Sequence, residues 1–126
     1  MIEEPVSKYL GFLQKGCREA LVEEFKDKTI VSLSKNEAKK VATIFKVLSN
    51  TIRLMIVWVL IQNSMPVCLL SALLGVERSL ISHHLRELKE NNIVNEEVKG
   101  KFKYYYINPK VKDIMQELIV KTLKIQ

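Results

Sequence analysis

The sequence predicts a mainly α fold with a small β element (α+β): a winged helix-turn-helix with a two-stranded β-hairpin wing, an extra N-terminal helix and a C-terminal helix. Three observations carry this. Two short helical stretches flank Gly75-Val76-Glu77, two β-prone runs flank Lys99-Gly100-Lys101, and Asn108-Pro109 opens a last amphipathic stretch. With 126 residues, 48% of them hydrophobic and 27% charged, the chain can build one core and has no room for a separate catalytic domain.

Taken in order, Val6, Leu10, Leu13, Cys17, Leu21 and Phe25 recur at spacings of three and four, which predicts one helix with a single apolar stripe. Gly11 and Gly16 each weaken it by about 1 kcal/mol relative to alanine, so it should depend on docking. Residues 26–33 lack a helical period and fit an extended linker. Ser34-Lys35-Asn36-Glu37 is a capping box that starts the next helix, with Ala38, Val41, Ala42, Phe45 and Leu48 as its apolar face. Ser49-Asn50-Thr51 breaks and recaps the chain, and Ile52 to Gln62 is apolar nearly all round, which predicts a buried helix. Asn63-Ser64-Met65-Pro66 reads as a turn into a helix from Val67 to Leu74 that stops at Gly75. The following helix runs from about Arg78 to Asn91; Ile93 to Val98 and Phe102 to Ile107 are the hairpin strands. Val111, Ile114, Met115, Leu118, Ile119 and Leu123 stripe the last helix. The expected organisation is an extension over residues 1–33 and the winged domain over 34–126.

Charge points to the partner. The net +6 is uneven: residues 1–34 sum to −1, residues 35–77 to +3 and residues 78–126 to +4. A basic later half suits a polyanion such as nucleic acid. At 100° per residue from Arg78, the side chains of Arg78, Ser82, Arg86, Ser79 and His83 fall within about 0–140°, opposite Ile81, Leu85, Leu88 and His84. The polar face has what major-groove reading needs, an arginine able to grip guanine and short hydroxyls for base edges or phosphates. His84 falls on the packing side. Lys99, Lys101 and Lys103 crowd the hairpin, where they would supply salt-dependent affinity for a nucleic-acid backbone or, alternatively, keep an edge strand from aggregating. Tyr104, Tyr105 and Tyr106 alternate faces in a strand, so at least one should pack beneath the hairpin rather than stack on bases.

Three stretches together resemble the ArsR/SmtB type of prokaryotic winged-helix repressor. They are Phe45-Lys-Val-Leu-Ser-Asn-Thr-Ile-Arg53-Leu-Met-Ile56; Leu70-Ser-Ala-Leu-Leu-Gly75-Val-Glu-Arg-Ser79-Leu-Ile-Ser82-His83-His84-Leu85-Arg-Glu-Leu88; and Gly100-Lys-Phe-Lys-Tyr104-Tyr105-Tyr-Ile107. The resemblance covers roughly residues 35–124. It implies a homodimer that binds double-stranded DNA, with the helix from Ser34 and the last helix making the two-fold contact; the two cysteines, too few for a disulfide scaffold, independently suit the reducing cytosol. It also implies that Arg78, Ser79, Ser82 and His83 face DNA. Leu80 stands where the family usually has a polar residue, and Glu77 where it has a small capping residue.

The family's metal sites are largely missing. Pro66-Val67-Cys68 replaces a Cys-x-Cys pair, and the last helix has no histidine for the other site, so no cofactor or metal ion is expected. Cys17 and Cys68 leave three alternatives: packing as small hydrophobes, a thiol redox switch, or a metal or metalloid site completed from the N-terminal extension. No nucleophile with a base, acid–base pair or phosphate-cradling loop points to an enzyme. The acidic opening Met1-Ile2-Glu3-Glu4-Pro5 is unlike a targeting leader, and the apolar run Leu54 to Ile61 is too short for a membrane helix. The functional expectation is a sequence-specific DNA-binding transcriptional regulator, a homodimeric repressor whose inducer the sequence does not name. The alternatives are a derepressor responding through Cys17 and Cys68, and a winged helix used as a protein-interaction module.

Overall fold

The computed structural model describes every residue, Met1 to Gln126. Its elements are β1 (Ile2–Pro5), α1 (Ser7–Leu10), α2 (Lys15–Phe25), β2 (Thr29–Ser32), α3 (Lys35–Leu48), α4 (Thr51–Gln62), β3 (Met65–Pro66), α5 (Val67–Leu74), α6 (Arg78–Glu90), β4 (Val94–Lys99), β5 (Phe102–Ile107) and α7 (Pro109–Ile125). They form two compact units, Met1–Thr43 and Ile44–Gln126, with the division inside α3.

The first unit departs from the sequence expectation in three ways. The single helix expected over Val6 to Phe25 is two helices. The amides of Phe12 and Leu13 donate to the carbonyls of Tyr9 and Leu10 in tight three-residue steps, and Gln14 is extended, so the ladder is interrupted just after Gly11. The expected linker contains a strand: β2 pairs antiparallel with β1, from Ile2 opposite Ser32 to Pro5 opposite Thr29. Its β-branched Thr29-Ile30-Val31 found a partner in the first residues of the chain. Finally, Cys17, in the first turn of α2, is left out of the apolar packing. Val6, Leu10, Leu13, Leu21 and Phe25 still line a small apolar cavity, whereas Cys17 is exposed and does not pack as a small hydrophobe.

The Ser34 box forms as expected. The Glu37 amide donates to Ser34 Oγ (3.1 Å) and the Ser34 amide donates to Glu37 Oε1 (3.0 Å), satisfying two amides at the start of α3.

In the second unit, one core gathers the end of α3, α4, α5, α6, the sheet and α7 around Ile56, Leu70, Ile81, Leu85, Leu88 and Ile93. Asn50 caps α4 by accepting from the Arg53 amide (3.1 Å). The expectation that α4 is buried all round fails. Leu54, Met55 and Trp58 stay exposed because α5, α6, α7 and β5 cover only one side of it. Gly75 ends α5 in the left-handed region (φ 64°), and its amide donates to the Ser71 carbonyl (2.9 Å).

Asn92 (φ 60°) does the corresponding work after α6, letting the Ile93 amide donate to the Leu88 carbonyl (3.0 Å). Asn108 accepts from the Lys110 amide (3.0 Å) to cap α7, and its side-chain NH2 donates to the Asn92 carbonyl (2.9 Å). One residue thus ties the end of α6 to the start of α7.

The wing is the expected two-stranded hairpin, set in a sheet of three strands. β4 and β5 pair from Val94 opposite Ile107 to Lys99 opposite Phe102, and β3 adds a third antiparallel strand with Met65 opposite Tyr105. Residues Met65-Pro66, expected as a turn, are long enough for two pairings only, and proline is tolerated because the strand lies at an edge.

Candidate nucleic-acid interface

α6 owes its orientation to one buried stripe. Ile81, Leu85 and Leu88 are fully buried and His84 is 5% exposed; at roughly 2 kcal/mol for each aliphatic side chain, this stripe fixes which face looks outward. The outward face carries Arg78, Ser79, His83 and Arg86, all exposed, with Ser82 half-buried beside them. Glu77 precedes the helix without capping it through its side chain, and Leu80 is 39% exposed on the rim of the polar face.

His84 is held from α4. Arg53 Nε donates to His84 Nδ1 (3.1 Å) and Nη1 donates to the Val47 carbonyl (3.2 Å), so one guanidinium joins the end of α3, α4 and α6. Accepting at Nδ1 requires the neutral ring with its proton on Nε2. Burial pushes the His84 pKa below the ordinary histidine value, and the charges of Arg53 and His83 push it the same way against a smaller opposing effect of Glu87. Sequence reasoning missed Arg53. Its signal was a lone cation inside an otherwise apolar helix.

At the wing, Lys99, Lys101 and Lys103 are all exposed. Lys99 lies 3.2 Å from Glu97 and its ammonium sits 5.1 Å from the Tyr104 ring centroid; Lys103 lies 3.6 Å from Glu96, which also binds Lys89 at 2.9 Å. The Lys89 hydrogen bond holds the Glu96 carboxyl below its usual range. Lys101, at the apex, has no ionic partner within the chain. Tyr105 packs against the core, as alternation required of at least one of the three tyrosines.

The thiols do not make a metal centre within the chain. Cys17 is exposed on α2, Cys68 is half-buried at the start of α5, and nowhere do three histidine, cysteine or acidic side chains converge. Pro66 offers no donor where the resemblance would place a second thiol, so the residues do not fit the family's metal ion.

Residues 50–96 match the model of the bacterial regulatory protein, arsR family. An HTH-type transcriptional regulator of Methanocaldococcus jannaschii is 40% identical over 80 residues, covering 62% of this chain and 90% of that protein. The chain belongs to the ArsR family. Among solved structures, the transcriptional repressor BigR from Xylella fastidiosa superposes with a TM-score of 0.63 at 26% identity over 73% of this chain and 92% of that one. A homodimeric winged helix-turn-helix DNA-binding domain of a possible ArsR-family regulator from Mycobacterium bovis shares the fold, with a TM-score of 0.64 at 24% identity over 75% and 91% of the two chains. This ArsR-family chain is therefore a DNA-binding transcriptional regulator with a winged helix-turn-helix fold, not an enzyme.

Proposed function

We propose that this ArsR-family chain is a cytoplasmic homodimeric repressor that reads double-stranded DNA with α6 and grips its backbone with the β4–β5 hairpin. The observation that carries the reading is the division of α6: Arg78, Ser79, His83 and Arg86 are exposed on the face opposite buried Ile81, His84, Leu85 and Leu88. Arg78, in the first turn, is in the position from which recognition helices reach base edges, and its fork matches guanine O6 and N7. Ser79, Ser82 and His83 serve base edges or phosphates, Arg86 serves phosphate, and Lys99, Lys101 and Lys103 neutralise backbone charge.

Dimerisation is supported by a groove of about 330 Å³ lined by Phe45, Leu48, Leu54, Leu118, Ile119 and Leu123. Phe45 and Leu123 are 58% and 68% exposed there, an apolar surface that a second copy of the same face would cover. A thiol-responsive form of this repressor is favoured by one observation, the exposure of Cys17 to oxidants. Its test is free-thiol titration alongside DNA affinity before and after mild oxidation, and unchanged affinity would remove Cys17 and Cys68 from the mechanism.

The decisive experiment is nuclease footprinting of the reduced protein on DNA upstream of its own gene, against shuffled competitor at fixed salt. The expected result is a protected pseudo-palindrome with half-sites one or two helical turns apart. Protection no better than the shuffled control would instead favour a winged helix that docks a protein, which needs no symmetric site.

A further inference from the structure

The apex of the wing carries a half-exposed aromatic ring outside the core. Gly100 has φ 61° while Lys101 keeps a negative φ, the pattern of a two-residue II′ turn, so β5 begins at once with Phe102 opposite Lys99. Alternation along β5 puts Tyr105 and Ile107 toward the core and Phe102, Tyr104 and Tyr106 on the other face. Tyr104 is covered by the Lys99 ammonium, whereas Phe102 is 50% exposed with neither a cation nor another ring against it. Val98, two residues before Gly100, is 73% exposed.

We propose that Phe102 is an apolar wedge that enters a base step of the DNA minor groove and bends the duplex. The inference rests on the hairpin being a DNA-contacting wing and adds a chemistry that its lysines cannot supply. Lys101, beside the ring at the apex, has no ionic partner within the chain and the hairpin keeps a net positive charge, so the tip suits a polyanion rather than an apolar protein surface. Within a duplex, the surface that a phenyl ring can enter is the stack itself. Proteins that approach through the minor groove insert phenylalanine or aliphatic side chains between base steps, and the unstacking cost of a few kcal/mol is offset by the larger contact that the bend permits. Flexible pyrimidine–purine steps lower that cost. Phe102 would therefore prefer such a step at a position flanking the one read by α6, giving specificity where no hydrogen bond is made.

The test uses the full chain, duplexes enriched by the wild-type protein from a random pool, and end-to-end fluorescence transfer to read bending. Wild type should bring the duplex ends closer, and Phe102→Leu should retain most of the bend. Phe102→Ala should leave the duplex straight and bind about tenfold more weakly with an unchanged salt slope, the loss expected of one lost stacking contact. Lys101→Ala should still bend DNA while lowering the salt slope by about one. A Phe102→Ala protein that bends DNA as wild type does, or a wild-type complex that is straight, overturns the wedge and leaves the DNA-binding reading intact. Failure to enrich any duplex, as with an acidic protein partner in place of DNA, overturns that reading together with the wedge. Because Phe102 covers no core residue, the alanine variant should keep the wild-type unfolding midpoint, which guards against a folding artefact.

Discussion

Removing the Arg53 guanidinium should loosen α6 without touching the side chains of its exposed polar face. Arg53→Met keeps an apolar stem but leaves two acceptors without their donor, His84 Nδ1 at 3.1 Å and the Val47 carbonyl at 3.2 Å. A hydrogen bond from a charged donor is worth about 1.5–3 kcal/mol, and partial exposure of Arg53 argues for the lower end, so the expected loss is about 2 kcal/mol. For a chain of this length that lowers the thermal midpoint by roughly 6–10 °C. The assay is circular-dichroism unfolding at pH 8 and fixed protein concentration, run on wild type, Arg53→Met, His84→Leu and the double variant. Loss of one shared interaction makes the double variant less destabilised than the two singles together, by about 1 kcal/mol. Additivity within about 0.3 kcal/mol would refute the reasoning, since His84 would then be a space-filling residue and Arg53 an independent surface charge.

Other consequences are as direct. Burial, Arg53 and His83 depress the His84 pKa in the folded chain, with only Glu87 opposing, so the folded state binds fewer protons here than the unfolded one; this contribution to stability is present above the ordinary histidine pKa of about 6.5 and is lost as pH falls below it. Urea unfolding at pH 7.5 and 5.5 should thus show a larger acid loss for wild type than for His84→Leu, and equal losses would contradict it. Gly75→Ala meets no steric obstacle but forces a side chain into the left-handed region, so it should cost about 1 kcal/mol in the same assay; a neutral result would mean that the turn relaxes. Arg78→Ala should weaken the enriched duplex by about 1–3 kcal/mol and random DNA far less, as read by competitive binding at fixed salt, and equal loss on both would sink the assignment of α6 as the reader. Leu118→Glu puts a carboxylate in the apolar groove and should shift sedimentation to monomer; a persistent dimer would place the interface elsewhere.

From Ser34 onward the fold was legible wherever a local signal fixed the geometry. Gly75, the Ser34 box, the Asn108-Pro109 start and the glycine of the hairpin each act within a few residues, and the elements that they bound lie where the sequence put them. Two of the misses are non-local. β3 exists only because β5 offers an edge to Met65, and β2 only because β1 returns to it; neither partner is visible from the segment itself. Cys17 fits the stripe by spacing and is nonetheless exposed in the first turn of α2. The polar face of α6 was legible because a period of 3.6 separates it from Ile81, Leu85 and Leu88, whereas the Arg53–His84 bond joins residues 31 apart in the chain and left only a solitary cation as a clue.

The lysine count of the wing overstates its electrostatic grip. From Glu96 to Lys103 the hairpin holds three lysines and two glutamates, a net charge of only +1. Glu97 engages Lys99, and Glu96 engages Lys103 as well as Lys89. A phosphate that recruits Lys99 or Lys103 must displace a carboxylate partner, exposed Glu97 or half-buried Glu96, a trade with little net gain at physiological salt. In the proposed complex Lys101 alone would meet a phosphate without giving up a partner. The salt slope should therefore fall most for Lys101→Ala, and Glu97→Gln, by freeing Lys99, should strengthen binding to specific and random DNA alike. Such a wing would have weak non-specific attraction for its size, so in the proposed complex discrimination would rest more heavily on Arg78 and on the proposed Phe102 wedge.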